Sequence, residues 1–414
     1  MIPSIRVLFA IRLINSMGNF VFPFLTMLLT IKLGYSKAAA GSFMSAAALA
    51  AGFGMLCGGK LGDVFGKKRT IAGLQITAGT LLGVCAVLGL VPVVPFLVAV
   101  AYVLLQASWP VFNALVADIV PSASRKRAFA VLYWGNNIGF SIGPLMAGYL
   151  FNTHASFMFI GNAVSLAIVS FLLVTRVKSP GASAAPASGH CGEEAPEDCG
   201  LPEIMRKRPI LVVFALANLL MHFIYMQHLF GLPVFLNEKL GERGPAIYGM
   251  VMTTNGITVV TLTALVTFAL IRLRSIANMA VAALFYSAGF GMLAFGATTF
   301  TVLASTVVWT IGEIISATNA QVFIAGHTPS SHRGRVNAFM SFVSGWGGTL
   351  CPVATGAYID AFGSGALWPA VSGLALVAAF LMALIARADK SQAAPSRPIS
   401  ADTSLIASIV SAIR

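Results

Sequence analysis

Continuously apolar stretches of about twenty residues recur along almost the whole chain, separated by short polar or Gly- and Pro-marked breaks, and this recurrence limits what the chain can fold into. A helix of about twenty apolar residues crosses a hydrocarbon core of ~30 Å. Only helices and closed barrels satisfy their backbone polar groups in that medium, and a barrel needs alternating strands of roughly ten residues. These runs do not alternate, so helices are expected. Composition agrees, because 57% hydrophobic and 9% charged residues leave too little polar surface to face water, against roughly 25% charged in an ordinary soluble domain. The expected fold class is an all-α membrane protein.

Twelve spans are expected, at about 5 to 31, 38 to 59, 70 to 90, 94 to 118, 127 to 150, 154 to 175, 210 to 236, 246 to 271, 276 to 296, 299 to 325, 336 to 359 and 364 to 386, each end good to a few residues. The first is read as a retained helix and not a signal peptide, being long, without a small-residue cleavage pattern, and polar inside. This divides the chain into an N-terminal six-helix bundle (1–178), a cytoplasmic linker (179–207), a C-terminal six-helix bundle (208–388) and a cytoplasmic tail (389–414). The linker is rich in Gly, Ala, Ser and Pro and carries Glu193, Glu194, Glu197 and Asp198; His190, Cys191 and Cys199 nearby lack zinc-ligand spacing. In the tail, Leu405, Ile406, Ile409, Val410 and Ile413 form one apolar helical face, the pattern of a short helix lying on headgroups.

The net charge of +13 would suggest nucleic acid if its placement were ignored. Lys60, Lys67, Lys68, Arg69, Arg125, Lys126, Arg127, Arg176, Lys178, Arg206, Lys207, Arg208, Arg272, Arg274, Arg333 and Arg335 all fall in alternate connections, whereas the intervening ones carry only Lys32, Lys37, Lys239 and Arg243. The positive-inside rule then places both termini and the central linker in the cytoplasm of a bacterial-type inner (plasma) membrane. The charge is topological, and no nucleic-acid partner is expected. Cys57, Cys85 and Cys351 lie in apolar helices, so reduced thiols are expected.

The chain repeats. One constant offset aligns Pro121 with Pro329, Arg125 with Arg333, Arg127 with Arg335, Gly139 with Gly347, Pro144 with Pro352 and Gly148 with Gly356. Helices four and five thus recur as ten and eleven, which implies two pseudo-symmetric bundles with a substrate site between them near the midplane.

The connection after helix two reads Gly59-Lys60-Leu61-Gly62-Asp63-Val64-Phe65-Gly66-Lys67-Lys68-Arg69. It resembles the loop signature of the major facilitator superfamily, GxLxDxxGxxxx ending in basic residues. Its glycines suit a tight turn and close helix approach, and Asp63 suits a latch whose partners differ between states. Gly59, Gly62, Asp63, Gly66, Lys67 and Arg69 are therefore gating candidates, joined by Asp118 at the end of helix four and Arg125 beyond it. Helix five carries Gly135, Gly139, Gly143-Pro144 and Ala147-Gly148, a packing face that resembles the GxxxGPxxGG signature of the superfamily's antiporter branch, with Ala-Gly as its last pair. Gly139, Gly143, Pro144 and Gly148 are gating candidates too. The resemblance covers essentially the whole chain.

Arg12 in helix one and Glu313 in helix ten are the deepest charges, and both must face the protein interior. Arg12, Asn15 and Asn19 share a face; Gln106, Trp109 and Asn113 repeat that spacing on helix four, and Asn218, His222 and Tyr225 form a stripe on helix seven. In the superfamily helices one, four, seven and ten line the central cavity, which the resemblance makes these residues' expected role. Glu313 and Arg12 are the proton-coupling candidates, Glu313 as the carrier, with a permanent salt bridge to Arg12 as the structural alternative. Many drug/proton antiporters carry a carboxylate in helix one, where this chain has Asn15 and Asn19. His222 and His228 are six apart and face differently, so no metal is expected. No GxxxxGK[ST] loop occurs, so ATP-driven transport is disfavoured and no cofactor is expected. The expected protein is a monomeric transporter and not an enzyme: a proton-coupled exporter of lipophilic small molecules, with a lipid or glycolipid flippase as the alternative and nutrient uptake ranked below both.

Overall fold

The computed structural model describes residues 3–177, 201–328 and 332–389. The linker's acidic and cysteine-bearing segment and the tail's apolar face lie outside them. All regular structure among the described residues is helical. The long helices are α1 (Pro3–Met17), α2 (Lys37–Phe65), α3 (Lys67–Leu88), α4 (Val94–Ile119), α5 (Ser122–Thr153), α6 (Ala155–Arg176), α7 (Pro209–Tyr225), α8 (Gly244–Leu270), α9 (Ser275–Met292), α10 (Thr299–Gly326), α11 (Arg333–Phe362) and α12 (Ser364–Ala388). Among the described residues, nine stretches are long and apolar enough to cross a membrane, one of them the 62 residues Pro209–Leu270. That stretch turns at Gly241–Arg243 and crosses twice. Helices α5 and α11, of 32 and 30 residues, are more polar but long enough to span, so the bundle has twelve crossings.

The first and seventh crossings are not the continuous spans expected from their apolar runs. After α1 the chain loosens at Gly18 and resumes as Phe22–Phe24, Leu25–Met27 and Leu28–Lys32. After α7 it passes through Met226–His228 and resumes as Gly231–Leu240. Gly18 with Pro23, and Gly231 with Pro233, supply the breaks. Gly18 also sits where a Cβ would collide with the Ser165 side chain. Breaks of this kind expose backbone where a transporter places its ligand.

The repeat governs packing. Helix α1 packs on α5 and α6, α2 on α4, and α3 on α4 and α6; the second half repeats each pairing six helices later, as α7 on α11 and α12, α8 on α10, and α9 on α10 and α12. The halves join through α5 with α8 and, symmetrically, α11 with α2. Glycines set these distances. A Cβ on Gly139 would strike α1 backbone at Leu13, and one on Gly347 would strike α7 at Leu219. A Cβ on Gly148 would lie 2.6 Å from the Pro245 carbonyl of α8, and one on Gly356 would collide with the Lys37 carbonyl of α2. Large apolar side chains such as Phe53, Phe171, Phe268, Phe295 and Phe300 stay exposed on the outer face, where lipid would cover them.

The end of the bundle carrying the basic connections is here called the basic end. Among the described residues, polar contacts between the halves cluster toward the opposite end. Lys37 pairs with Glu238 at 3.1 Å. The Asp360 carboxylate accepts from the backbone N–H groups of Lys37 (3.3 Å) and Ala38 (2.8 Å), capping the start of α2 from the other half. Asp360 is thus a link between halves, not the simple rim residue its position suggests. Ser45 donates to the Thr349 carbonyl (2.6 Å), Thr253 to that of Ser141 (2.6 Å) and Asn152 to that of Glu242 (2.6 Å). These ties close the two halves against each other at the far end.

Candidate functional site

A larger and a smaller cavity between the described helices gather most of the polar residues inside the bundle. The larger, of about 380 Å³, is lined mostly by the first half, and Met226, Leu229, Phe230, Gly348 and Pro352 close it from the second. Of the residues expected to face a cavity, it gathers Arg12, Asn15, Asn19, Gln106 and Trp109. Asn113 is not in its lining, which corrects the expectation: the α4 stripe turns past the cavity after Trp109, and Phe112 takes the next lining position. Periodicity alone missed Gln75, Tyr102, Asn136 and Asn162, all of which line it. Each is a polar residue in an apolar run, and that signal was available.

Arg12 is 9% exposed, its guanidinium lying 3.5 Å above the Trp109 ring and 5.7 Å from Phe112. A cation over an indole face is stabilised by the ring quadrupole. Ser16, one turn on, donates to Asn136 Oδ1 at 2.8 Å and ties α1 to α5.

The smaller cavity, of about 190 Å³, belongs to the second half and gathers Asn218, His222, Tyr225 and Glu313 with Met221, Tyr286, Ser316 and Ala317. Glu313 is held by two neutral donors, Tyr225 Oη to Oε1 at 2.9 Å and Asn255 Nδ2 to Oε2 at 2.7 Å. Asn255 Nδ2 also lies 3.0 Å from Thr310 Oγ1. No cation pairs with Glu313 among the described residues. The alternative salt bridge with Arg12 is therefore absent in this structure: the two charges line different cavities in different halves, and Arg12 lies against an aromatic face. Behind the carboxyl, Tyr225 packs at 4.4 Å from His228, which stacks on Trp309 at 5.4 Å, and Trp309 stacks on Phe290 at 5.8 Å. His228 thus belongs to a packed aromatic column, and no cluster of metal-binding side chains exists among the described residues. Asn218 donates to Ser344 Oγ at 2.7 Å and links α7 to α11.

The gating candidates lie at the basic end and along α5. Gly66 makes the turn between α2 and α3 with φ of 84°. Gly62 packs so that a Cβ would lie 2.8 Å from Val111, whereas Gly59 faces open space and makes no close approach; Gly58 does so instead, against the Ala107 backbone. Lys67 pairs with Asp118, joining α3 to α4 within the first half. Asp63 and Arg69 are exposed, and Asp63 makes no ion pair among the described residues. Arg125 donates to the Val120 carbonyl at 3.2 Å. Gly143 packs so that a Cβ would collide with the Met17 carbonyl, and the carbonyl of Pro144 lies 2.7 Å from where a Cβ on Gly249 would sit.

A bundle of two matching halves, sealed at one end and holding polar cavities at mid-depth, has the architecture of a multi-pass membrane transporter. The pattern of the Major Facilitator Superfamily matches residues 8–312 and 242–414, and the chain belongs to that family of secondary transporters. It is 25% identical over 272 residues to a Na(+), Li(+), K(+)/H(+) antiporter of Planococcus maritimus, a match spanning 60% of this chain and 63% of that protein. It is 24% identical over 374 residues to the uncharacterized MFS-type transporter YttB of Bacillus subtilis (strain 168), across 88% of this chain and 90% of that one. In fold it is similar to the POT family transporter PepTSo, with TM-score 0.72 and 16% identity over 94% of this chain and 98% of that chain. It is also similar to the nucleoside transporter NupG, with TM-score 0.74 and 16% identity over 94% and 100% of the two chains.

Proposed function

We propose that this chain is a proton-coupled exporter of lipophilic small molecules that works by alternating access, with Glu313 as its proton carrier. One observation carries the reading: a carboxyl inside the helix bundle is held by a hydroxyl and an amide and, among the described residues, by no cation. A phenol can donate to a carboxylate or accept from a carboxylic acid, so the same side chains accommodate Glu313 with and without its proton. The distant relative named as a cation/H(+) antiporter supports proton coupling. With the basic end cytoplasmic by the positive-inside rule, the seal at the far end makes this the inward-facing state.

The test is reconstitution of the purified chain in liposomes with an imposed pH gradient and a panel of lipophilic dyes. Gradient-dependent dye accumulation that an uncoupler collapses is the expected result. Accumulation indifferent to the gradient removes proton coupling, and flipping of labelled lipid without dye movement favours a flippase.

The basic end supplies a second prediction. Asp63 is exposed and has no ion-pair partner among the described residues, so its charge is available to hold the basic end shut in the opposite state. Asp63→Asn then leaves the present contacts intact, weakens the opposite state, and moves the population toward the conformation described here. Spin-label distances across the basic end should lengthen on average; identical distributions in wild type and variant would count against the latch.

A further inference from the structure

The larger cavity contains one charge and no counter-charge. Among the described residues Arg12 is its only charged lining residue, and no Asp or Glu lines it. Arg12 makes no hydrogen bond or ion pair among the described residues, only ring contacts with Trp109 and Phe112. The guanidinium carbon lies 3.5 Å from the Trp109 ring centroid, a ring contact that takes up no N–H hydrogen bond. The guanidinium's in-plane N–H donors, the fork that matches a carboxylate, are left without a protein acceptor. Asn15 and Asn19, on the same face of the chain, line the cavity and have side-chain amides with no hydrogen-bond partner among the described residues. Amide N–H groups beside a guanidinium are the usual further donors to an acid group. Around this polar pole the wall is apolar and adaptable: Phe22, Phe140, Met226 and Phe230. The volume of about 380 Å³ suits a small ligand with a ring system.

We propose that this cavity binds a lipophilic organic monoanion, its carboxylate or equivalent acid group paired with Arg12 and its apolar body against Trp109 and the aromatic wall. The inference rests on the transport reading and names the substrate class for it. It reassigns Arg12 from proton coupling to substrate anchoring. A cationic ligand would meet an uncompensated like charge, whereas an anion neutralises it. Export of such an anion moves negative charge outward, a direction that an inside-negative potential favours.

The test uses the full chain in lipid nanodiscs and three probes of similar shape and different charge, namely naphthoate, naphthamide and naphthylmethylammonium, with binding followed by calorimetry. Naphthoate should bind about tenfold or more tightly than either analogue, and Arg12→Gln should erase that preference while leaving naphthamide binding in place. Arg12→Lys, which keeps the charge but not the fork, should retain part of it. The wild-type comparison decides without any variant: equal binding of the three probes, or preference for the cation, overturns the proposal. Displacement of naphthoate by phosphatidylglycerol but not phosphatidylcholine would assign the anion site to a lipid headgroup and overturn its small-molecule part. Naphthoate binding that persists while a pH gradient drives no naphthoate flux would support the anion site and remove proton coupling, so the two readings fail separately.

Discussion

Glu313→Gln is expected to reduce gradient-driven accumulation to the level of empty liposomes while leaving exchange of substrate across the membrane intact. The amide preserves shape and most of the network. Its oxygen can accept from Asn255 Nδ2 as Oε2 does now, and its nitrogen can donate to the Tyr225 hydroxyl, which turns from donor to acceptor. At most one hydrogen bond weakens, worth about 1 kcal/mol, too little to unfold the bundle. The lost property is the capacity to carry a proton. Counterflow of labelled substrate against unlabelled substrate, with no gradient imposed, separates the two outcomes. Loss of both activities in a folded variant would make Glu313 a structural residue, and retention of gradient-driven accumulation would remove it from the mechanism.

The glycines of α5 and α11 yield the second large effect, and its sign depends on which surface each one faces. Gly148 and Gly356 face the other half at the sealed end, where a larger side chain would press on the carbonyls of Pro245 and Lys37. Gly143 faces α1 within its own half, against the Met17 carbonyl. Overpacking of this kind costs about 1–3 kcal/mol. At an interface that opens during the cycle, the cost falls on the closed state alone. Gly356→Val and Gly148→Val are therefore expected to yield folded protein with the far end open, the population shifted roughly 5–150-fold. Gly143→Val meets its clash in every state and should lower the unfolding temperature instead. Spin-label distances across the far end, together with thermal unfolding of all three variants, check the contrast. A far end that stays closed in Gly356→Val would count against the seal being a moving surface.

These glycines also mark how far the sequence could be read. Their spacing and their recurrence in the second half were visible as a repeat, because close helix approach leaves a pattern that any alignment of the two halves exposes. The stripe of Asn218, His222 and Tyr225 was likewise legible, since a four-then-three spacing can only be one helical face. What faces a stripe is not encoded by its own spacing. Asn255 on α8 holds one oxygen of Glu313, yet nothing local to Asn255 points to a partner on α10. The alternative of an Arg12–Glu313 pair failed for a similar reason. Two lone charges in apolar helices invite pairing on energetic grounds, but Trp109 offers the cation another neighbour, and the halves keep the two groups apart. Asn113 fell outside the cavity because a straight-helix pattern does not show where the cavity wall ends.

The Asp360 contact places its information unevenly. Its accepting side is a specific carboxylate, but its donating side is only the backbone of residues 37 and 38, where α2 begins and amide groups stand unpaired. Lys37 and Ala38 can therefore be exchanged for almost any residue but proline without breaking the clasp, while a single change at Asp360 removes both of its bonds at once. A mutational scan of the closed end would find sensitivity at Asp360, at Lys37 only the loss of its pair with Glu238, and tolerance at Ala38, a position whose main-chain N–H helps hold the halves together.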